Sequence, residues 1–92
     1  MYFESIERKV RIVLKNETRE FYGKLSEIEA ELDSKEFVMI HRSYLVNFLY
    51  VIQYQYDFIL MANNQRIPVS RSNRKDVREK FFTRRADNNN AI

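Results

Sequence analysis

The sequence contains no cysteine, one glycine and one proline among its 92 residues. The absence of cysteine excludes disulfides, thiolate zinc sites and cysteine nucleophiles, and it is compatible with a reducing cytoplasm. One glycine and one proline leave no glycine-rich phosphate loop, flexible linker or repeat. No apolar run approaches the roughly 18 residues of a membrane span, and MYFESIERK at the start lacks the basic-then-apolar order of a signal peptide. We therefore expect one domain with no membrane segment.

What the sequence does contain is enough apolar material for a modest core and an uneven distribution of charge. Hydrophobic residues make up 45% of the chain, with six tyrosines and seven phenylalanines. The net charge is +3, but residues 37–75 alone carry five Lys/Arg and one Asp/Glu. A cluster of one sign repels itself and favours a polyanionic partner, although scattered charges could produce the same excess.

The pattern of apolar residues predicts a mainly β fold of five to seven short strands. Period-two alternation or β-branched and aromatic runs mark VRIVLK, ETREFYG, FVMI, YVIQYQ, DFILMA and QRIPVS. KNET and Asn63-Asn64 suit hairpin turns, because asparagine tolerates positive φ. Pro68 lacks an N–H and places the last strand at a sheet edge.

Two helices are predicted. KLSEIEAELD carries Leu25, Ile28 and Leu32 on one face, and Ser26 with Glu29 fits a capping box at its start. SNRKDVREKFF has Val77 and Phe81 four residues apart on its inner face. Residues 84–92 have little to bury and are expected to form a frayed or disordered tail.

The start of the second helix is polar and basic, from Ser70 to Lys75. Backbone N–H groups, serine hydroxyls and three cations together favour an anion site, for which phosphate is the natural ligand. A solvated helix cap with incidental charges is the alternative. Tyr50, Tyr54 and Tyr56 leave a similar choice open between core packing and stacking on unpaired bases.

The stretch IHRSYLVN interrupts an apolar run with His41, Arg42 and Ser43. A single histidine with no second imidazole and no acids at metal-ligand spacing makes neither a metal site nor a catalytic triad. We therefore predict no enzymatic activity, no metal and no cofactor. Arg42 could grip a phosphate or the edge of guanine, or form a salt bridge to the acidic first helix.

Together, FVMIHRSYLVN, the following hairpin and IPVSRSNRKDV resemble the LytTR-type DNA-binding domain of bacterial response regulators. MYFES and FYGKLSEIEAEL fit the same pattern, so the resemblance spans roughly residues 2–82. It implies an elongated stack of small antiparallel sheets with two short helices over residues 1–83. It also implies a cytoplasmic transcription regulator that binds double-stranded DNA through loops in successive grooves. Two copies would bind direct repeats as a weak or DNA-dependent dimer, usually behind a receiver domain.

The resemblance also implies which residues meet DNA. The family's contacts fall here on Arg8, Lys9, Arg11, His41, Arg42, Ser43, Ser70, Arg71, Ser72, Asn73, Arg74 and Lys75. Arg42 and Arg71 are the expected base readers, whereas Lys9, Arg74 and Lys75 would hold phosphates. Ser43, Ser70, Ser72 and Asn73 would supply neutral donors, and His41 would brace its loop.

Two departures from the family pattern bear on these expectations. Val10 stands where some members place a polar residue that reads bases, and the family usually has a further strand before MYFES. The second departure leaves the number of strands in the first sheet open. The alternative function is a protein-interaction module that uses the acidic face of the first helix. A hydrolase with His41 as its base is disfavoured, because no partner residues are evident.

Overall fold

The computed structural model describes the backbone of residues 1–90 and the side chains of residues 1–83. Within that part of the chain, eight strands form two antiparallel sheets accompanied by two α-helices. In chain order the elements are β1 Tyr2–Ile6, β2 Lys9–Val13, β3 Thr18–Tyr22, α1 Leu25–Glu31, β4 Phe37–His41, β5 Tyr44–Asn47, β6 Val51–Tyr54, β7 Phe58–Met61, β8 Arg66–Pro68 and α2 Arg74–Asn90. The predicted β fold is confirmed, with one more strand than the sequence suggested.

The first sheet has five strands in the order β3-β2-β1-β5-β4. MYFES supplies its central strand, which pairs with β2 on one side and β5 on the other. The first strand of the chain thus lies at the centre of this sheet. Its alternation is weak because both of its faces are covered: Tyr2 packs in one core and Phe3 in the other.

Two cores lie on opposite faces of this sheet. On one face, Val10 and Leu45 pack against Leu25 of α1, with Ile28 and Leu32 beside it, as predicted for the first helix. The other face packs against the second sheet, of order β6-β7-β8, and against α2. The larger core between the sheets contains Tyr2, Val38, Ile40, Val46, Phe48, Ile59, Met61, Ile67, Val69 and Val77.

Both helices begin at different residues from those predicted. Lys24 is the N-cap of α1 and no side chain caps it, so the predicted capping box of Ser26 and Glu29 is wrong. The burial of Leu25 draws it into the first turn and leaves Ser26 inside the helix. A 3₁₀ turn, Arg71–Asn73, precedes α2, whose backbone continues past the predicted end at residue 82. The prediction of a frayed tail at 84–92 falls on residues whose side chains lie outside the described part.

The second sheet confirms several local predictions. β8 with Pro68 is an edge strand, and Asn64 has φ 67° in the β7–β8 hairpin. Tyr54 stacks on Phe81 at 4.5 Å between ring centroids, so it belongs to the core. Tyr56 is 54% exposed and does not. None of the helices described is long and apolar enough to span a membrane.

Candidate nucleic-acid interface

Two polar turns lie at the same end of the five-stranded sheet. The β1–β2 turn consists of Glu7 and Arg8, and Glu7 adopts φ 58° there. The β4–β5 turn consists of Arg42 and Ser43. Because β1 is antiparallel to both β2 and β5, and β5 to β4, both turns emerge from one end. The Ser5 N–H donates to the Ser43 carbonyl at 2.8 Å and joins the two.

His41 holds the β4–β5 turn from inside. Its Nδ1 accepts a hydrogen bond from the Ser43 N–H at 3.1 Å, and its ring meets Tyr44 edge-on. Arg42, at the tip, is exposed. It forms no ion pair or hydrogen bond with the side chains that the structure describes, so the alternative salt bridge to α1 is not formed. The geometry leaves the Arg42 guanidinium free for a ligand.

The turn before α2 is fastened directly to β4. The Ser70 N–H donates to the Ile40 carbonyl at 2.9 Å, and Asn73 Nδ2 donates to the Met39 carbonyl at 3.0 Å. Asn73 Oδ1 in turn accepts from the hydroxyls of Ser70 and Ser72. Both the amide nitrogen and the amide oxygen of Asn73 are therefore engaged within the protein.

These bonds bring two of the three predicted contact regions together. Ser70, Ser72 and Asn73 line one depression of about 320 Å³. His41 and Arg42 line the same depression from the β4–β5 turn. The two turns lie about thirty residues apart in the sequence, yet they form a single surface.

The predicted cations fall into two groups. Within the described side chains, Arg8, Arg42, Arg71 and Lys75 have no partner, whereas Lys9, Arg11 and Arg74 are engaged. Lys9 Nζ lies 5.2 Å from the centroid of the Tyr22 ring. Arg74 Nε donates to the Val69 carbonyl at 3.4 Å, and its guanidinium lies over the Tyr56 ring.

The first predicted contact loop is shorter than expected. Only Glu7 and Arg8 form the turn, because Lys9 to Arg11 already belong to β2. Val10 is fully buried against α1 and offers no group to a base. Arg11 points to the opposite face, where it pairs with Glu4 at 3.8 Å and Glu20 at 3.9 Å.

The start of α2 is less basic than predicted. Asp76 lies in its first turn and pairs with Lys80 at 3.5 Å. An acid there suits the helix dipole, so the charge argument for an anion site is weaker than the sequence suggested. What remains is the exposed Arg71 and Lys75 beside the serine hydroxyls.

Sequence reasoning missed Lys24. This residue lines a cleft together with Arg8 and Arg42, at the same end of the first sheet. The feature of the sequence that could have identified Lys24 was the neighbouring Gly23, which follows the last residue of β3 and lies opposite the β1–β2 turn. No group of three or more potential metal ligands occurs among the described residues.

Comparison with known proteins gives consistent results. The sequence model of the LytTr DNA-binding domain matches residues 1–82. The sensory transduction protein LytT of Enterococcus faecalis is 30% identical in an alignment 87 residues long that covers 88% of this chain. The chain spans only 36% of the length of that relative. A solved LytTr DNA-binding domain, from a Bacillus cereus protein described as a response regulator, superposes with a TM-score of 0.80 at 27% identity, over 88% of this chain and 79% of the other.

Proposed function

The chain belongs to the LytTr DNA-binding domain family, and we propose that it reads duplex DNA sequence-specifically for a bacterial transcription regulator. The observation that carries this proposal is the joint surface of the β4–β5 turn and the turn before α2. Two hydrogen bonds to consecutive carbonyls of β4 fix it. A surface held this rigidly loses little entropy when it binds.

The roles follow from which side chains are free. Arg42 and Arg71 are the proposed base readers, since a guanidinium can donate two hydrogen bonds to one guanine. Arg8 and Lys75 are the proposed phosphate contacts, and the hydroxyls of Ser43, Ser70 and Ser72 supply neutral donors. These groups are available without breaking an interaction described above, apart from the hydrogen bonds of the Ser70 and Ser72 hydroxyls to Asn73.

The engaged residues receive narrower roles. Lys9 and Arg74 stay proposed phosphate contacts, because a cation resting on a ring face keeps donors free. Arg11 would have to leave two carboxylates, so we assign it to the sheet. His41 and Asn73 are assigned to bracing the two turns.

The test is selection of preferred sites from a pool of random duplexes, followed by binding measurements at several salt concentrations. Arg42→Ala and Arg71→Ala should each cost about 1–3 kcal/mol on the selected site and relax preference at one position. Arg19→Ala is the matched control, because Arg19 is an exposed arginine at the start of β3, paired with Glu17. Unchanged affinity and preference in the double variant would disprove the assignment.

We also propose the wider setting of the domain. Two copies on direct repeats, meeting weakly or only on DNA, and a receiver domain elsewhere in the full-length protein would fit a two-component regulator in the cytoplasm. Analytical ultracentrifugation with and without a duplex carrying two selected sites tests the first point. A stable dimer observed in the absence of DNA would contradict it.

The second candidate is a protein-interaction surface on α1. Glu27, Glu29 and Glu31 are exposed on it. No ion pair holds these carboxylates within the described side chains. A basic partner captured by the wild type and lost in the triple glutamine variant, with DNA binding intact, would favour it.

A further inference from the structure

The link between β3 and α1 adds a cation that the family resemblance did not assign. Gly23 and Lys24 join the last residue of β3 to the first of α1. The Gly23 N–H donates to the Arg8 carbonyl at 3.4 Å, which ties the link to the β1–β2 turn. The link therefore emerges at the same end of the sheet as both polar turns.

The backbone around Lys24 is held from both sides. Leu25, the next residue, is 4% exposed in the core beneath α1. The Lys24 carbonyl accepts from the N–H groups of Glu27 and Ile28. The lysine thus starts from a fixed position, and only its side chain is free to move.

Lys24 lines a cleft of about 640 Å³ with Arg8 and Arg42. None of these three cations has an ion-pair partner among the described side chains. Two acidic residues, Glu7 and Glu27, also line the cleft. Three cations against two acids leave a net charge of +1. Unpaired like charges around one cleft repel each other until an anion enters.

We propose that this cleft takes a phosphate of the DNA backbone, which Arg8 and Lys24 hold while Arg42 reads a base beside it and Glu27 opposes it. The proposal rests on the proposed function, because Arg42 faces both this cleft and the depression beside Ser70. A duplex lying across Arg42 would therefore present its backbone to Lys24. The shared arginine makes the two hollows one continuous binding surface.

The charge arrangement predicts opposite effects from two substitutions. Lys24→Gln should weaken binding to every duplex by about fivefold, the factor for two unit charges 4 Å apart in water. It should also lower the dependence of log K on log salt by about one. Glu27→Gln should strengthen binding by a similar factor, because it removes a carboxylate that repels phosphate.

The experiment measures binding of the chain to a labelled duplex of mixed sequence, about three helical turns long, across a salt series. Lys15→Gln is the control for Lys24, because Lys15 lies in the β2–β3 turn at the other end of the sheet. Glu31→Gln is the control for Glu27, because it changes the last turn of the same helix and does not line the cleft. Both controls should behave like the wild type.

The outcomes separate the two proposals. If Lys24→Gln matches Lys15→Gln and Glu27→Gln matches Glu31→Gln, while Arg42→Ala still weakens binding to the selected site, the cleft is not a phosphate site and the proposed function stands. If the wild type itself shows no salt-dependent binding to duplex DNA, both proposals fall. A loss in Lys24→Gln with a gain in Glu27→Gln supports the cleft, and the gain cannot come from misfolding.

Discussion

Replacing Asn73 with alanine should destabilise the domain and weaken DNA binding without removing a charge. Asn73 Nδ2 donates to the Met39 carbonyl, and Oδ1 accepts from the hydroxyls of Ser70 and Ser72. Alanine removes all three bonds, including the one that fastens the turn to β4. A net hydrogen bond contributes about 0.5–1.5 kcal/mol, and an unpaired group costs about 1–3.

We therefore expect Asn73→Ala to lower the free energy of unfolding by about 1–3 kcal/mol. For a domain of this size, each kcal/mol corresponds to a fall of roughly 4–8 °C in the melting temperature. Urea denaturation and thermal melting measure both quantities. Gln53→Ala removes an exposed amide from β6 and should change stability by less than about 0.5 kcal/mol.

The DNA-binding result distinguishes bracing from contact. If Asn73 only holds Ser70 and Ser72 in position, Asn73→Ala should lower the affinity for DNA. The salt dependence of binding should stay that of the wild type, because no charge is removed. If Asn73→Ala melts like the wild type and yet binds DNA more weakly, Asn73 is a direct contact and the reasoning is refuted.

Three further predictions test the core and the β4–β5 turn. Leu45→Ala should cost about 2–5 kcal/mol in chemical denaturation because Leu45 is fully buried, whereas Leu49→Ala, at a 68% exposed residue, should cost less than about 0.5. Tyr54→Phe should leave stability at neutral pH unchanged or slightly higher, because the buried Tyr54 hydroxyl has no hydrogen-bond partner among the side chains of residues 1–83. Burial raises the pKa of the Tyr54 hydroxyl. The stability that comes from this raised pKa is fully present below the ordinary pKa near 10 and is lost as the pH rises through the pKa of the folded state. The phenylalanine variant should therefore lose less stability in alkali. His41→Ala should weaken DNA binding and His41→Asn should restore much of it, because an amide oxygen can accept from the Ser43 N–H in place of Nδ1; equal loss in both would argue for direct contact by the imidazole.

Local sequence signals predicted the strands and helices that bury only one face against the core. β8 was predicted at an edge because Pro68 cannot donate to a ladder, and the positive φ of Asn64 follows from its short polar side chain. Val77 and Phe81 were predicted on the inner face of α2 from their spacing alone. In each case the signal and its cause lie within a few residues.

The misses share a different origin, because they depend on residues far apart in the chain. β1 was not predicted as a strand since both of its faces are buried, which erases alternation. Arg11 appeared available because Glu4 and Glu20 become its partners only through the pairing of three strands. Lys24 was overlooked because the fold, and no sequence motif, places it beside Arg42.

The architecture gives a physical reason why the proposed DNA contacts come from turns. The three strands β1, β5 and β4 are covered by α1 on one face and by the second sheet on the other. Their side chains are committed to packing, so only the strand ends can carry free cations.

An antiparallel sheet returns the chain to the same end at every second turn, and each strand lies about 4.8 Å further across the sheet, which sets the spacing of those cations. The hydrogen bonds from Ser70 and Asn73 to β4 then add a second segment to the same end. Because backbone pairing sets these distances, a substitution that shifts the register of β4 on β5 should abolish sequence preference even when every proposed contact residue is retained.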